Sequence, residues 1–245
     1  MCNAPLSGRA STRFASVRRG LGLMFTGLGA MLGGCMATSV EMDQDTSFPI
    51  PLVTKVPLTV GVHLPEALVN YTLSEDHGDN GKFSIDIGDA QQPMFLNLLV
   101  GMFTGVELVD DPTHPPASVA GTLVPTIAEM QFSTPLQTRT EYFEVWIRYQ
   151  LQLYSRDGVL LGDWPLTAYG KANTQNYGMN STQPTLHAAA LQACRDAMAF
   201  FTVQFPTVPQ VQNWLAGELS LTRKAEQSTP SGLAGKAGNL KTSGD

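Results

Sequence analysis

Four histidines, three cysteines and 21 acidic residues are what this 245-residue chain offers for metal ligation, nucleophilic attack or proton transfer. Zinc sites need imidazoles and thiolates at short spacings, such as two histidines four apart on one helix face. His63, His77, His114 and His187 form no such pair, and Cys194 has no cysteine near it. His187 and Cys194, seven apart, could share a helix face, where packing explains them better than ligation. The run SEDHGDNG over residues 74–81 places Asp76, Asn80 and Gly81 at the first, fifth and sixth positions of a calcium loop. Its third position is Gly78 and its twelfth is Ile87, where a bidentate Glu is required, so it reads as a solvated acidic loop. Residues 35–245 contain no G-x-S-x-G elbow, phosphate-binding loop or dinucleotide fingerprint. Asp157 and Asp163 are close in sequence, but Asp157 belongs to an Asp-Gly turn. No catalytic residue, metal ligand or cofactor follows from these residues.

A binding chemistry does. Trp146 and Arg148 are two apart in an alternating segment, with Tyr142 and Tyr154 in the same phase. On a strand they project from one face, and Trp, Tyr and Arg dominate the energetics of protein interfaces. Trp146 and Arg148 are therefore the candidate partner-binding residues. The alternative is that these side chains only line a sheet covered by loops.

The remaining chemistry belongs to Cys35. Arg9, Arg13, Arg18 and Arg19 precede an uncharged run from Leu21 to Leu32, and no acidic residue occurs before Cys35. Twelve helical residues rise only ~18 Å, short of the ~20 residues that span a bilayer. The pattern is that of an export signal over residues 1–34. Leu32-Gly33-Gly34-Cys35 resembles the bacterial lipobox, in which the cysteine thiol receives a diacylglycerol and the signal is cut off. The resemblance implies lipidation of Cys35 and a periplasmic domain tethered by acyl chains. Residue 36 is Met rather than the Asp that retains such proteins at the inner membrane, which implies the outer membrane.

Cleavage before Cys35 leaves 211 residues and removes four arginines, taking the formal charge from −6 to −10. That balance argues against nucleic acid, whose phosphates demand a basic surface, and against electrostatic docking on anionic lipid. Cys194 would be left without a cysteine partner, so a hydrophobic core must supply the stability. Residues 36–52, polar, acidic and ending in prolines, read as a flexible spacer. Residues 217–245, poor in large apolar side chains, read as a disordered tail. The folded body is then residues 53–216.

Its periodicities predict strands over residues 56–62, 83–87, 106–109, 119–132, 142–154 and 159–172. Asp89 stands where an N-cap belongs, opening a helix to Phe103 with Pro93 near its start and Gly105 as its stop. A second helix covers residues 184–205, and residues 209–215 dock Val211 and Trp214 back on the body. Pro125 predicts a sheet edge or a bulge. The whole predicts an α+β domain: a mixed, mainly antiparallel sheet with two helices packed on one face.

The lipobox, the opening strand, the helix ending in LVGMFTGVELV, the meander with YQLQLYSRDGVLL and the alanine-rich closing helix together resemble small lipoproteins. The likeness is to the YajG type and to the N-domain of the curli-secretion protein CsgG. Auxiliary lipoproteins of envelope transporters share the same layout. The resemblance covers about half of the mature chain in pattern, and carries no functional residue over. It implies a non-enzymatic accessory of envelope assembly, secretion or transport, with an envelope protein as partner. The other reading is a periplasmic hydrolase or ligand-binding enzyme whose site assembles only in three dimensions.

Overall fold

The clearest alternation in the sequence builds the centre of the protein. In this computed structural model, which describes residues 37–178 and 181–228, strand β7 (Tyr142–Ser155) buries Val145, Ile147, Tyr149, Leu151 and Leu153 and turns the intervening residues outward. It pairs antiparallel with β6 (Gly121–Ser133) on one side and β8 (Leu160–Asn173) on the other. The Asp157-Gly158 turn closes the second pairing: Gly158 takes φ +72°, the left-handed conformation that glycine tolerates. The sheet is completed by β2 (Val56–Val62) and β5 (Phe103–Leu108), in the order β5-β2-β6-β7-β8, with β2 parallel to both neighbours. A second, three-stranded sheet has the order β1-β4-β3, from β1 (Ala37–Glu41), β4 (Lys82–Asp86) and β3 (Thr72–Asp76).

Helices α2 (Gly88–Met102) and α4 (Thr182–Gln204) pack on the same face of the large sheet. Met94, Phe95 and Leu98 from α2 meet Ala197, Met198 and Phe201 from α4 over Tyr149, Leu151 and Leu166. The Phe95 ring stands edge-on to Tyr149 at 5.8 Å. The α+β class with a mixed sheet and two helices on one face is thus the observed architecture, with a second sheet added. Single turns α1 (Glu66–Val69) and α3 (Pro135–Thr138) and the long helix α5 (Pro209–Ser228) complete it. Among the described residues no helix is long and apolar enough to cross a membrane.

Several expectations are corrected. Residues 37–52 are not a free spacer: Ala37–Glu41 form β1, Met42 and Phe48 are buried, and the chain then straps across both helices. Asn97 Nδ2 donates to the Phe48 carbonyl at 3.1 Å, and an Arg195 guanidinium nitrogen donates to Ser47 at 3.0 Å. A short polar segment gains order here because neighbouring backbone and side chains satisfy its carbonyls. The expected tail begins instead as helix, since α5 carries through Gly217 to Ser228. Trp214 pins that helix by donating its indole N–H to the Ala120 carbonyl at 3.0 Å. Asp89 lies inside the first turn of α2, where its charge suits the helix dipole, and it is Asp86 that accepts from the Gly88 N–H. Gly105 is not a stop but a residue of β5, which begins directly at Phe103. The signal over residues 1–34, Cys35, and the tail over 229–245 lie outside the described residues.

Candidate functional site

The outer face of β6, β7 and β8 is built by register. Trp146 lies opposite Gln131 on β6 and Tyr169 on β8, while Arg148 lies opposite Glu129 and Thr167. Glu129 and Gln131 reach this face only because of a β-bulge. The register steps from Ile127↔Tyr149 to Glu129↔Arg148, leaving the exposed Ala128 as the extra residue. Before the bulge the odd residues Leu123 and Pro125 pair with the inward Leu153 and Leu151, and after it the even ones, Met130 and Phe132, pair with the inward Ile147 and Val145. Pro125 is tolerated because β2 pairs with β6 only through Gly61↔Thr122 and Val62↔Leu123, so beyond Leu123 that side of β6 is a local edge.

Side-chain bonding then organises the face. The Trp146 and Tyr169 rings lie 5.2 Å apart, tilted by 40°. The Tyr169 hydroxyl donates to Glu144 Oε1 at 2.8 Å, and Glu144 also accepts from Ser133 at 3.2 Å. Burial, and then the adjacent Glu144 carboxylate, push the Tyr169 phenol up to about 12. Tyr169 is therefore a neutral donor at physiological pH and no general base. Arg148 forms an ion pair with Glu129 at 2.6 Å, both side chains about half exposed. Together Glu129, Gln131, Trp146, Arg148 and Thr167 line a shallow depression of about 310 Å³. An aromatic floor with a guanidinium and a carboxylate at its rim can take up an apolar side chain flanked by charge.

The other candidates do not converge. The Cys194 thiol is fully buried beside Tyr149 and Gln91, and burial pushes it up to about 12, so it is not a reactive thiol. His187 lines a different, surface groove with Val40, Glu41 and Tyr177. Asp76 accepts from the Gly78 N–H at 2.9 Å and pairs with Lys82 at 3.1 Å, which leaves the partial calcium pattern as a turn. Ser74, Glu75 and Asp76 belong to β3 rather than to a loop. Among the described residues no group of three or more His, Cys, Asp or Glu is placed to hold a metal. Asp163 accepts from Gln150 at 2.9 Å on the outer face, and Asp157 stays in the hairpin.

No family model matches the chain, and no curated protein matches its sequence significantly. Solved structures share only a distant likeness. Protein XCC0632 of Xanthomonas campestris, of the family DUF330, is 9% identical; the match covers 78% of this chain and 98% of that one, with TM-score 0.37. A minor lipoprotein of Acinetobacter baumannii is 15% identical, over 62% of this chain and 92% of that one, with TM-score 0.39. At such scores neither likeness bears on what this chain does.

A larger cleft of about 830 Å³ opens between the end of β8 and α4. Its charged groups have structural partners: Asp196 accepts from the Tyr169 N–H at 3.0 Å, Arg195 reaches Ser47, and Lys171 stands 5.2 Å over the Tyr142 ring. The outer face is the better candidate. Four of its residues, Glu129, Gln131, Thr167 and Tyr169, were missed by sequence reasoning, while Glu144 shares the phase of Trp146 and Arg148. The signal for two of them was the phase change between Leu123-x-Pro125-x-Ile127 and Met130-x-Phe132.

Proposed function

We propose that this chain is a lipoprotein held at the outer membrane through Cys35, and that it works by binding another envelope protein rather than by catalysis. The lipobox Leu32-Gly33-Gly34-Cys35, behind a basic and then an apolar segment, supports the anchor. The resemblance to the YajG type and to the CsgG N-domain supports a role as an accessory of envelope assembly, secretion or transport. One observation carries the binding role. Trp146 packs against the tilted ring of Tyr169 and neighbours the Arg148–Glu129 pair on a sheet face opposite to both helices. A large aromatic displayed beside a half-exposed ion pair favours association.

Two measurements test the reading. Cys35→Ala is expected to abolish incorporation of a palmitate analogue and to release the protein from the membrane fraction; unchanged incorporation would remove the anchor. Trp146→Ala combined with Arg148→Ala is expected to lose the partner in pull-down from solubilised membranes while shifting stability by less than ~1 kcal/mol, since both side chains are partly exposed. A large fall in melting temperature with the partner retained would make the face structural.

A further inference from the structure

Strand β1 begins at Ala37, two residues after Cys35, and is paired from its first residue, Ala37↔Lys82. Two trans peptide steps span at most ~7.6 Å between Cα atoms. The strand itself is fixed: Val40 is buried and the chain continues into the buried Met42. A lipid on Cys35 is therefore tied to one place on the domain surface and not to a swinging arm. Thr38, three residues from Cys35, lines a cleft of about 240 Å³ together with Asn80, Phe83, Pro135, Leu136 and Phe143. Phe83 and Phe143 are buried in its floor, and Leu136, on the single turn α3, is 66% exposed at its lip. Thr134 and Gln137 cap that turn reciprocally, which holds Leu136 outward.

We infer that this end of the domain (the start of β1, the β3–β4 turn and α3) rests directly on the bilayer, with Leu136 entering the interface beside the acyl chains of Cys35. The inference rests on the lipidation of Cys35 proposed above and adds the orientation it imposes. The opposite end follows from strand length. Phe143 lines the cleft, and Ser155 lies twelve residues further along β7, ~40 Å away at 3.3 Å per residue. The β7–β8 hairpin, with Val159 60% exposed, therefore points into the periplasm.

The test uses the lipidated full-length product in vesicles of phosphatidylethanolamine and phosphatidylglycerol. Of the three cysteines, Cys2 leaves with the signal, Cys35 is acylated, and Cys194 is buried. Leu136→Cys and Val159→Cys can thus each carry one environment-sensitive fluorophore. The expected result is quenching by spin-labelled lipid several-fold stronger at 136 than at 159, with both proteins floating with the vesicles. Flotation with equal quenching, or with stronger quenching at 159, overturns the orientation and leaves the anchor standing. Failure to float overturns the anchor and the orientation together. Inserting about twelve Gly/Ser residues between Met36 and Ala37 adds a reach of ~20 Å and is expected to abolish the contrast while flotation persists. A contrast that survives the insertion overturns the claim that the short tether sets the orientation.

Discussion

Phe201→Ala is expected to lower the free energy of unfolding by ~3–5 kcal/mol, the range for deleting a fully buried aromatic ring. Phe201 projects from α4 into the seam where both helices meet the sheet, among Met94, Phe95, Leu98, Leu151 and Leu166. Its ring also stacks on Phe205 at 4.9 Å with the planes 18° apart. Removing it leaves a void bounded by two helices and a sheet, and such a void collapses poorly because each wall is held by other contacts. Phe200, the preceding residue, is 46% exposed and serves as the control. Its replacement by Ala is expected to cost less than ~1 kcal/mol. Urea unfolding checks both: the Phe201 midpoint should fall at an unchanged slope. A loss below ~1 kcal/mol at Phe201 would show that the ring is not in the core.

The helical stripe that contains Phe201 was legible in the sequence, and so was β7, because each has one buried face and a period that reveals it. Elements stabilised from outside were not. β1 has one buried apolar residue in five, Val40, and its order comes from parallel pairing with β4, a partner some 45 residues away. β3, with the sequence TLSED, shows almost no apolar alternation and is held by the same β4. α5 past Gly217 is largely polar, and what holds it comes from elsewhere in the chain: the buried Glu218 pairs with Arg156, and Leu219 packs against the core. The candidate site divides in the same way. Trp146 and Arg148 could be placed on a common face from their spacing alone. Their partners Glu129 and Tyr169 come from other strands, and a one-residue bulge decides which side of the sheet Glu129 occupies. The order of residues 37–41 was not legible, since a polar segment bound by backbone pairing reads like a free one.

The largest loss of stability is expected at a residue without a side chain. A Cβ on Gly170 of β8 would overlap the carbonyl oxygen of Ala189 and the amide nitrogen of Ala193, both in the backbone of α4. A side chain in that position could rotate away, but a helix backbone can only move as a body. The helix is able to lie this low because the residues facing the sheet are small: Ala189, Ala190, Ala193, Cys194 and Ala197 are all buried. Lifting α4 would open contacts along its whole length, including those around Tyr149 and Phe201, at a density where an ångström of separation is costly. Gly170→Ala is therefore expected to cost ~1–3 kcal/mol, the usual range for overpacking, and Gly170→Val more than ~4 kcal/mol. Gly217 separates this effect from the general consequence of replacing glycine. It lies inside α5 with nothing within 4 Å of a built Cβ, so Gly217→Ala should raise stability by up to ~1 kcal/mol through helix propensity. Thermal and urea unfolding of the three variants decide the matter, because packing predicts opposite signs at 170 and 217. If Gly170→Val unfolded at the midpoint of the unsubstituted chain, α4 would not be seated on β8 at this distance. The shared face that α2 and α4 cover would then need another arrangement.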